Sequence, residues 1–209
     1  MNSSELLKRY TAGDRDFGGV DLRGAYLSEA ILSGADFRQA DLSRANLSGA
    51  NLKRVNLSDA NLSEANLSVA ELAGAELNDA NLKATDLRKT NLAESSLKRA
   101  NLVGACLREA NLMFANLSHA NLGHADLHGA TLYKAILHRA LLHDADLIGA
   151  MLQQADMRGA DLCRACLIRA DISRAILIAA DLEGANVLGA NLKGAVLTGA
   201  IMPDGKMQD

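Results

Sequence analysis

A five-residue unit repeats without insertion or deletion from Arg15 to Met202, and no other feature limits the fold as strongly. The unit reads Ala-(Asp/Asn)-Leu-x-x and occurs 38 times. The Leu position is Leu in 32 units, and the position two residues before it is Ala in 32 units. An unbroken internal repeat of this kind indicates a solenoid, in which each unit packs on its neighbours.

A period of five excludes a long helix and a long strand. A step of five residues turns a helix by about 140°, so the leucines would spiral over every face. On a long strand an odd period would place alternate leucines on opposite faces. A very short strand followed by a turn fits the pattern, with Ala and Leu pointing inward and Asp or Asn pointing outward. We name the five positions, in order, small, polar, centre, first-turn and second-turn.

These units resemble those of the pentapeptide-repeat family over roughly nine-tenths of the chain. The resemblance implies an all-β fold, a right-handed quadrilateral β-helix with four units in each coil. The 38 units would then make about 9.5 coils, and residues 20 apart would lie directly above one another. Phe17 and Phe37 are the only aromatic centre residues, and we expect them to stack as a pair.

The repeat divides the chain into an N-terminal capping helix (1–14), the β-helix (15–202) and a C-terminal tail (203–209). The helix is expected from Ser3 to Ala12, with Ser3 or Ser4 as its N-cap. A solenoid end exposes unpaired strand edges and an open core, so this helix is predicted to cover the first coil. Pro203 cannot donate a hydrogen bond between coils, so we expect the repeat to end there.

The charge balance and the cysteine content favour a cytoplasmic protein that binds no polyanion. The chain has 22 basic and 25 acidic residues and a net charge of −3, so direct nucleic-acid binding is not expected. No apolar stretch approaches the length of a membrane span, and no secretory signal is present, so no membrane association is expected. Three cysteines in a chain that needs no disulfides fit a reducing compartment.

The sequence offers no catalytic arrangement, so we expect neither an enzyme nor a cofactor. All five histidines lie between His119 and His143, and the 20-residue stacking places four of them in two pairs on separate corners. A metal site needs three or four converging ligands, so we expect no metal site there. Cys163 and Cys166 form a C-x-x-C motif, a weak signal outside a thioredoxin-like context.

Aliphatic residues at outward positions are the strongest candidates for a functional surface. Ile148, Ile168 and Leu188 are spaced by 20 residues, so they should form one outward column in the C-terminal coils. Contiguous apolar patches mark partner surfaces more often than scattered residues do. The full candidate partner surface consists of Ile136, Ile148, Ile168, Ile176, Ile178, Leu188 and Val196. A smaller set, Met113, Phe114 and Tyr133, marks one corner in the middle of the rod.

The sequence therefore predicts a non-enzymatic scaffold that acts by binding an unidentified partner protein, and we expect it to be a monomer. The segments Glu5–Gly13 and Gly199–Gly205 resemble the termini of cyanobacterial pentapeptide-repeat proteins, one of which influences heterocyst differentiation. The resemblance thus implies a regulator in a cyanobacterium. The alternative that the family suggests is a DNA-mimicking protein that binds DNA gyrase, which would require acidic columns along the rod.

Overall fold

The computed structural model describes all 209 residues and consists of one helix and one right-handed quadrilateral β-helix. Parallel bridges of a single residue each connect polar positions 20 residues apart, from Asp16 with Asp36 to Asp181 with Ile201. Four units therefore make each coil, as the resemblance to the pentapeptide-repeat family implied. We number the four faces of the rod by their first centre residues: face 1 (Phe17), face 2 (Leu22), face 3 (Leu27) and face 4 (Leu32). Faces 1 and 3 lie on opposite sides of the rod, as do faces 2 and 4.

Every backbone N–H of a typical unit has an acceptor, as the unit at Asp41–Ala45 illustrates. The N–H of Asp41 donates to the preceding coil, and the N–H groups of Leu42 and Arg44 donate to the following coil. The N–H of Ala45 donates to the carbonyl of Leu42 and closes the turn. The remaining N–H, that of Ser43, donates to Oδ1 of Asp41 at 3.0 Å. Backbone groups that face away from water must be paired in this way.

The last of these bonds explains why the polar position prefers Asp and Asn. These two residues occupy 24 of the 38 units, and each of them accepts the N–H two residues later. Their short side chains reach their own turn, which longer or apolar side chains cannot do. The sequence predicted only the outward orientation of this position.

The interior of the rod is filled by the small and centre residues, which form one continuous buried cluster. Phe17 and Phe37 stack in the first coils with their ring centroids 5.3 Å apart, which confirms the predicted pair. Three consecutive small positions carry hydroxyls instead of Ala, namely Thr85, Thr90 and Ser95, and each hydroxyl donates to a backbone carbonyl. No buried side-chain polar atom is therefore left without a partner.

Helix α1 (Ser3–Thr11) covers the N-terminal end of the core. Its N-cap is Asn2, whose side chain accepts the N–H of Glu5 at 2.9 Å, so the prediction of Ser3 or Ser4 as the cap was wrong. Asn2 takes this role because it has extended backbone angles just before the first helical residue.

Two residues of α1 fix it to the rod. Leu6 is fully buried in the core cluster, and the hydroxyl of Tyr10 donates to the carbonyl of Ser33 at 2.9 Å. The helix thus closes the apolar interior and also satisfies one carbonyl at the edge of the first coil.

The C-terminal end is covered on one side only. The chain turns after Pro203, and Met207 pairs antiparallel with Ile201 above face 2. The centre residues of the last coil on the other three faces, Val187, Leu192 and Leu197, are half-buried, and their N–H groups have no acceptor. The two ends of the rod are therefore different, because one is closed by a helix and the other is partly open.

Candidate functional site

Three residues of the predicted partner surface form one column on face 3. Ile148, Ile168 and Leu188 occupy successive first-turn positions, and Leu188 is 71 % exposed while the other two are half-buried. Successive coils are about 4.8 Å apart, so the column presents aliphatic side chains over about 10 Å. Farther toward the N-terminus the same column is polar. The apolar stripe is therefore confined to the C-terminal part of face 3.

The other four candidates lie on face 1, on the opposite side of the rod. Ile136, Ile176 and Val196 occupy polar positions, and Ile178 occupies a first-turn position. Asp156 interrupts their column, and its carboxylate binds Arg158. The seven candidates therefore form two separate surfaces, of which only the one on face 3 is uninterrupted.

The apolar residues on face 1 leave backbone groups without a partner. An aliphatic side chain at the polar position cannot accept the N–H two residues later, and the N–H groups of His138, Ile178 and Thr198 make no hydrogen bond within the protein. In units with Asn or Asp at the polar position this N–H makes a stabilising hydrogen bond, which the units of Ile136, Ile176 and Val196 lack. The chain thus carries apolar residues at these positions at some cost to its own stability.

The histidines form the two pairs that stacking predicted. The rings of His119 and His138 are 5.8 Å apart, and those of His124 and His143 are 5.5 Å apart, both edge to face. Nδ1 of His143 lies 3.7 Å from a carboxylate oxygen of Asp161. No three His, Cys, Asp or Glu side chains are arranged to hold a metal ion.

The cysteines are free and half-buried. Burial, followed by hydrogen bonds to Asp161 and Asp181, raises the pKa of the Cys163 thiol to about 12. A thiol with such a pKa is almost entirely protonated at neutral pH, and the thiol is the unreactive form. Cys163 is therefore unsuited to nucleophilic or redox chemistry.

Face 4 carries the largest grooves of the rod. One has a volume of about 680 Å³ and runs over the C-terminal coils, and the other has a volume of about 540 Å³ and runs over the N-terminal coils. The small apolar set that the sequence had marked lies at the middle of the rod, with Met113 and Phe114 between the two grooves and Tyr133 in the wall of the C-terminal one. The Phe114 and Tyr133 rings pack edge to face with their centroids 5.8 Å apart.

A model of the family described as pentapeptide repeats matches the chain in eight copies that together extend over residues 21–209. The chain belongs to the pentapeptide-repeat family. No curated protein sequence matches it significantly.

Several solved structures are similar to this one, and two of them are pentapeptide-repeat proteins from Nostoc. HetL from the cyanobacterium Nostoc sp. PCC 7120, a protein involved in the regulation of heterocyst differentiation, is 38 % identical over 100 % of both chains, with a TM-score of 0.44. A second Nostoc pentapeptide-repeat protein is 39 % identical over 50 % of this chain and 80 % of its own, with a TM-score of 0.29. QnrB1, a plasmid-mediated fluoroquinolone resistance protein, is 20 % identical over 88 % of this chain and 89 % of its own, with a TM-score of 0.56.

Many acidic side chains of this pentapeptide-repeat rod are paired with arginines. Within single units, an Arg at the first-turn position binds the Asp at the polar position, as Arg158 binds Asp156 and Arg23 binds Asp21. The hydrogen bond from Arg23, followed by that from its backbone N–H, lowers the pKa of Asp21 to about 2. Between coils, Arg164 binds Asp144 and Arg99 binds Asp79 in the same bidentate manner.

The charges are distributed unevenly over the four faces, an asymmetry that was not predicted from the sequence. Face 2 carries eight acidic and four basic residues, whereas face 4, opposite to it, carries three acidic and five basic residues. The acidic residues of face 2 are Asp21, Asp41, Glu64, Asp144, Asp161, Asp181, Glu183 and Asp204. The signal was available in the sequence, because residue numbers that differ by 20 fall on the same face. It was hidden by the near-balance of charge in the whole chain.

The pentapeptide-repeat protein contains no helix with the length and apolar character that crossing a bilayer requires. Its single helix, α1, has nine residues.

Proposed function

We propose that this pentapeptide-repeat protein is a non-enzymatic scaffold that binds a partner protein through the aliphatic column on face 3. The observation that carries the proposal is the alignment of Ile148, Ile168 and Leu188 in successive coils. Three aliphatic side chains in register remove more apolar area from water on binding than the same residues scattered over the rod would. The face 1 candidates, Ile136, Ile176, Ile178 and Val196, form a second contact surface in this proposal, and Asp156 interrupts it.

The biological role that fits this proposal is regulation in the cytoplasm of a cyanobacterium. It is supported by the full-length similarity to HetL, which is involved in heterocyst differentiation regulation. In this proposal the rod acts as a monomer, binds neither nucleic acid nor membrane, and needs no cofactor. Its partner is a protein whose exposed apolar residues complement the face 3 column.

The test is affinity capture from a cyanobacterial lysate, followed by mass spectrometry, with three forms of the protein. The first is the wild type, and the second carries Ile148→Lys, Ile168→Lys and Leu188→Lys. The matched control carries Ser28→Lys, Ser48→Lys and Ser68→Lys, which places the same charges in the same column of the same face. We expect a partner retained by the wild type and the control but lost by the second form. Loss from both variants would instead indicate a general effect of charge.

DNA mimicry directed at gyrase is less well supported. A DNA-like surface needs rows of unpaired negative charge, whereas the arginines bound to Asp21, Asp36, Asp86 and Asp156 neutralise these carboxylates. Purified gyrase can be tested directly in a supercoiling assay. Inhibition or protection of the enzyme by the wild-type protein, unaffected by the lysines in the face 3 column, would favour this alternative over the proposed scaffold.

A further inference from the structure

The C-terminal half of face 4 combines a groove, unpaired cations and an aromatic pair. The groove has a volume of about 680 Å³, and its walls include Tyr133, Gln153, Ser173, Arg174 and Lys193. The aromatic pair borders it at the end nearer the middle of the rod. None of these residues belongs to the aliphatic column on face 3.

The cationic side chains of this stretch have no carboxylate partner in the protein. Lys134, Arg174 and Lys193 are exposed and form no ion pair, whereas most of the other arginines on this rod are bound to Asp or Glu. Leaving a charge unpaired costs little when it stays in water, and the charge remains available to an incoming anion. The three cations extend over about 14 Å of the rod, since Lys134 and Lys193 are three coils apart.

The only carboxylate on this stretch is already occupied by hydrogen bonds. Asp171 accepts the N–H of Ser173 at 2.9 Å, the side-chain amide of Gln153 at 3.0 Å and that of Asn191 at 3.1 Å. The hydrogen bonds from Ser173 are the main cause of a lowered pKa for the Asp171 carboxyl. Asp171 is thus engaged by three residues that line the groove, and its charge offsets only one of the three positive charges.

The aromatic pair supplies an apolar contact beside the cations. Phe114 is 47 % exposed, and Nζ of Lys134 lies 5.9 Å from its ring centroid and 5.3 Å from that of Tyr133. Aromatic residues with an adjacent cation are typical of the residues that dominate binding energy in protein interfaces. Phe114 is held at this place in a left-handed conformation, with φ of 60°, because it is a second-turn residue.

We propose that this surface binds a short acidic segment of a partner protein, extended along the rod axis with an apolar residue against Phe114 and Tyr133. From Phe114 to Gly194 the rod rises four coils, about 19 Å, which an extended segment of about six residues covers. Glutamate or aspartate side chains of the segment lie against Lys134, Arg174 and Lys193. The excess of acidic residues on the opposite face 2 orients an acidic partner toward face 4.

Nucleic acid fits this surface less well than an acidic peptide does. A duplex carries one negative charge per about 1.7 Å, so three cations over about 14 Å would neutralise a small part of it. The rest of the rod would repel the duplex, since the whole chain has a net charge of −3. The inference goes beyond the proposed function, because it assigns a different face and a partner segment of different chemistry.

The test uses a fluorescein-labelled peptide of about eight residues, with Leu-Phe at one end followed by a run of glutamates, and measures fluorescence anisotropy at low ionic strength. The altered form carries Arg174→Glu and Lys193→Glu. The matched control carries Lys98→Glu and Arg139→Glu, which reverse two unpaired cations on face 1 and change the net charge equally. We expect at least about tenfold weaker binding for the face 4 variant, which is about 1.4 kcal/mol, and less than about twofold for the control.

A second variant separates the aromatic contact from the charges. Phe114→Asn should weaken binding of the Leu-Phe peptide several-fold, but should leave unchanged the binding of a peptide with Gly-Gly at the same place. Asn is chosen because it tolerates the left-handed backbone at this position. Circular dichroism of each variant checks that the rod is folded.

Three outcomes would overturn the inference. The first is no saturable binding of the peptide up to about 1 mM, and the second is an equal loss of binding for the face 4 and face 1 variants. The third is tighter binding of a single-stranded oligonucleotide than of the peptide at the same salt concentration. Capture experiments with the face 3 variants leave these outcomes unaffected, so each of the two surfaces can fail without the other.

Discussion

At the scale of single residues, Asp and Asn at the polar position accept the same hydrogen bond in the turn but differ in the charge that they place at the surface. Both present an Oδ1 atom to the N–H two residues later, which is why they replace one another freely along the chain. Only Asp adds an ion pair when an Arg follows at the first-turn position, as at Asp86 and Arg88. The polar position therefore combines a hydrogen bond required by the fold with an optional charge.

Two substitutions of Asp86 separate these contributions. Asp86→Asn keeps the acceptor for the N–H of Arg88 and removes the ion pair, so we expect a loss of less than about 1 kcal/mol at neutral pH. Asp86→Ala removes both, and we expect a further loss of about 1 kcal/mol. Thermal unfolding followed by circular dichroism measures the difference. Equal losses for the two variants would contradict the role of the hydrogen bond.

The ion pair also predicts how the difference depends on pH. The hydrogen bond from Arg88 lowers the pKa of the Asp86 carboxyl below its ordinary value, so the folded state favours the ionised form. Its contribution is complete above the ordinary carboxyl pKa and is lost as the pH falls from about 4 toward the lowered value. The stability gap between the wild type and Asp86→Asn should therefore shrink when the melts are repeated near pH 2.5.

At the scale of the repeated unit, the second-turn residue has a left-handed backbone in every unit except the last. The first 37 units all have positive φ there, and only 13 of them use Gly. The remaining 24 include bulky residues, among them the β-branched Val69 with φ of 54°. Such a conformation costs about 1–2 kcal/mol for a residue other than Gly or Asn. The fold tolerates this cost because the hydrogen bonds to both neighbouring coils fix the turn.

Val69→Asn should therefore stabilise the protein by about 1 kcal/mol, because Asn adopts positive φ more readily than Val. Val69 is exposed, so little packing is lost. The control is Val103→Asn, at a first-turn position without positive φ, where we expect no gain. Denaturant unfolding of both variants measures the change. A similar gain at the two positions would show that the side chain's polarity, and not the backbone, is responsible.

The sequence predicted the unit well because its inward positions are nearly invariant. Ala and Leu specified the core, and the 20-residue stacking implied by the family resemblance placed Phe17 on Phe37. The turn hydrogen bond of Asp and Asn was not predicted, since outward polarity alone explained those residues equally well. The pairing of Met207 with Ile201 was also missed, because an antiparallel contact in a seven-residue tail follows from the path of the chain and from no repeat. The face 3 column was predicted by counting, whereas the cations of face 4 required sorting the charges by face.

At the scale of the whole molecule, the rod has one closed and one open end. Helix α1 covers the first coil, and the tail covers only face 2 of the last coil. An open strand edge is a template for pairing with another chain. The differences between the ends are therefore differences in local stability as well as in shape.

Amide hydrogen exchange should reveal this difference. The N–H groups of Val187, Leu192 and Leu197 have no acceptor, so they should exchange at least about tenfold faster than the centre amides one coil earlier. Those reference amides, which donate to the last coil, are Leu167, Ile172 and Leu177. Slow exchange of both sets would contradict an open end. If the exchange rate of the last-coil amides depended on protein concentration, this would indicate that a second copy of the protein covers the edge.

The four-unit coil also determines how the protein responds to changes in length. Adding one unit in the middle of the rod would leave the pattern of the core intact, but it would rotate every later residue by a quarter turn relative to the earlier ones. If the unit were added between them, Phe114 and the cations of Arg174 and Lys193 would then lie on adjacent faces, although no surface residue had changed. Only the insertion of a whole coil of 20 residues keeps every later residue on its original face. The rod can therefore be lengthened by five residues at a time, but its surfaces stay aligned only when it is lengthened by 20.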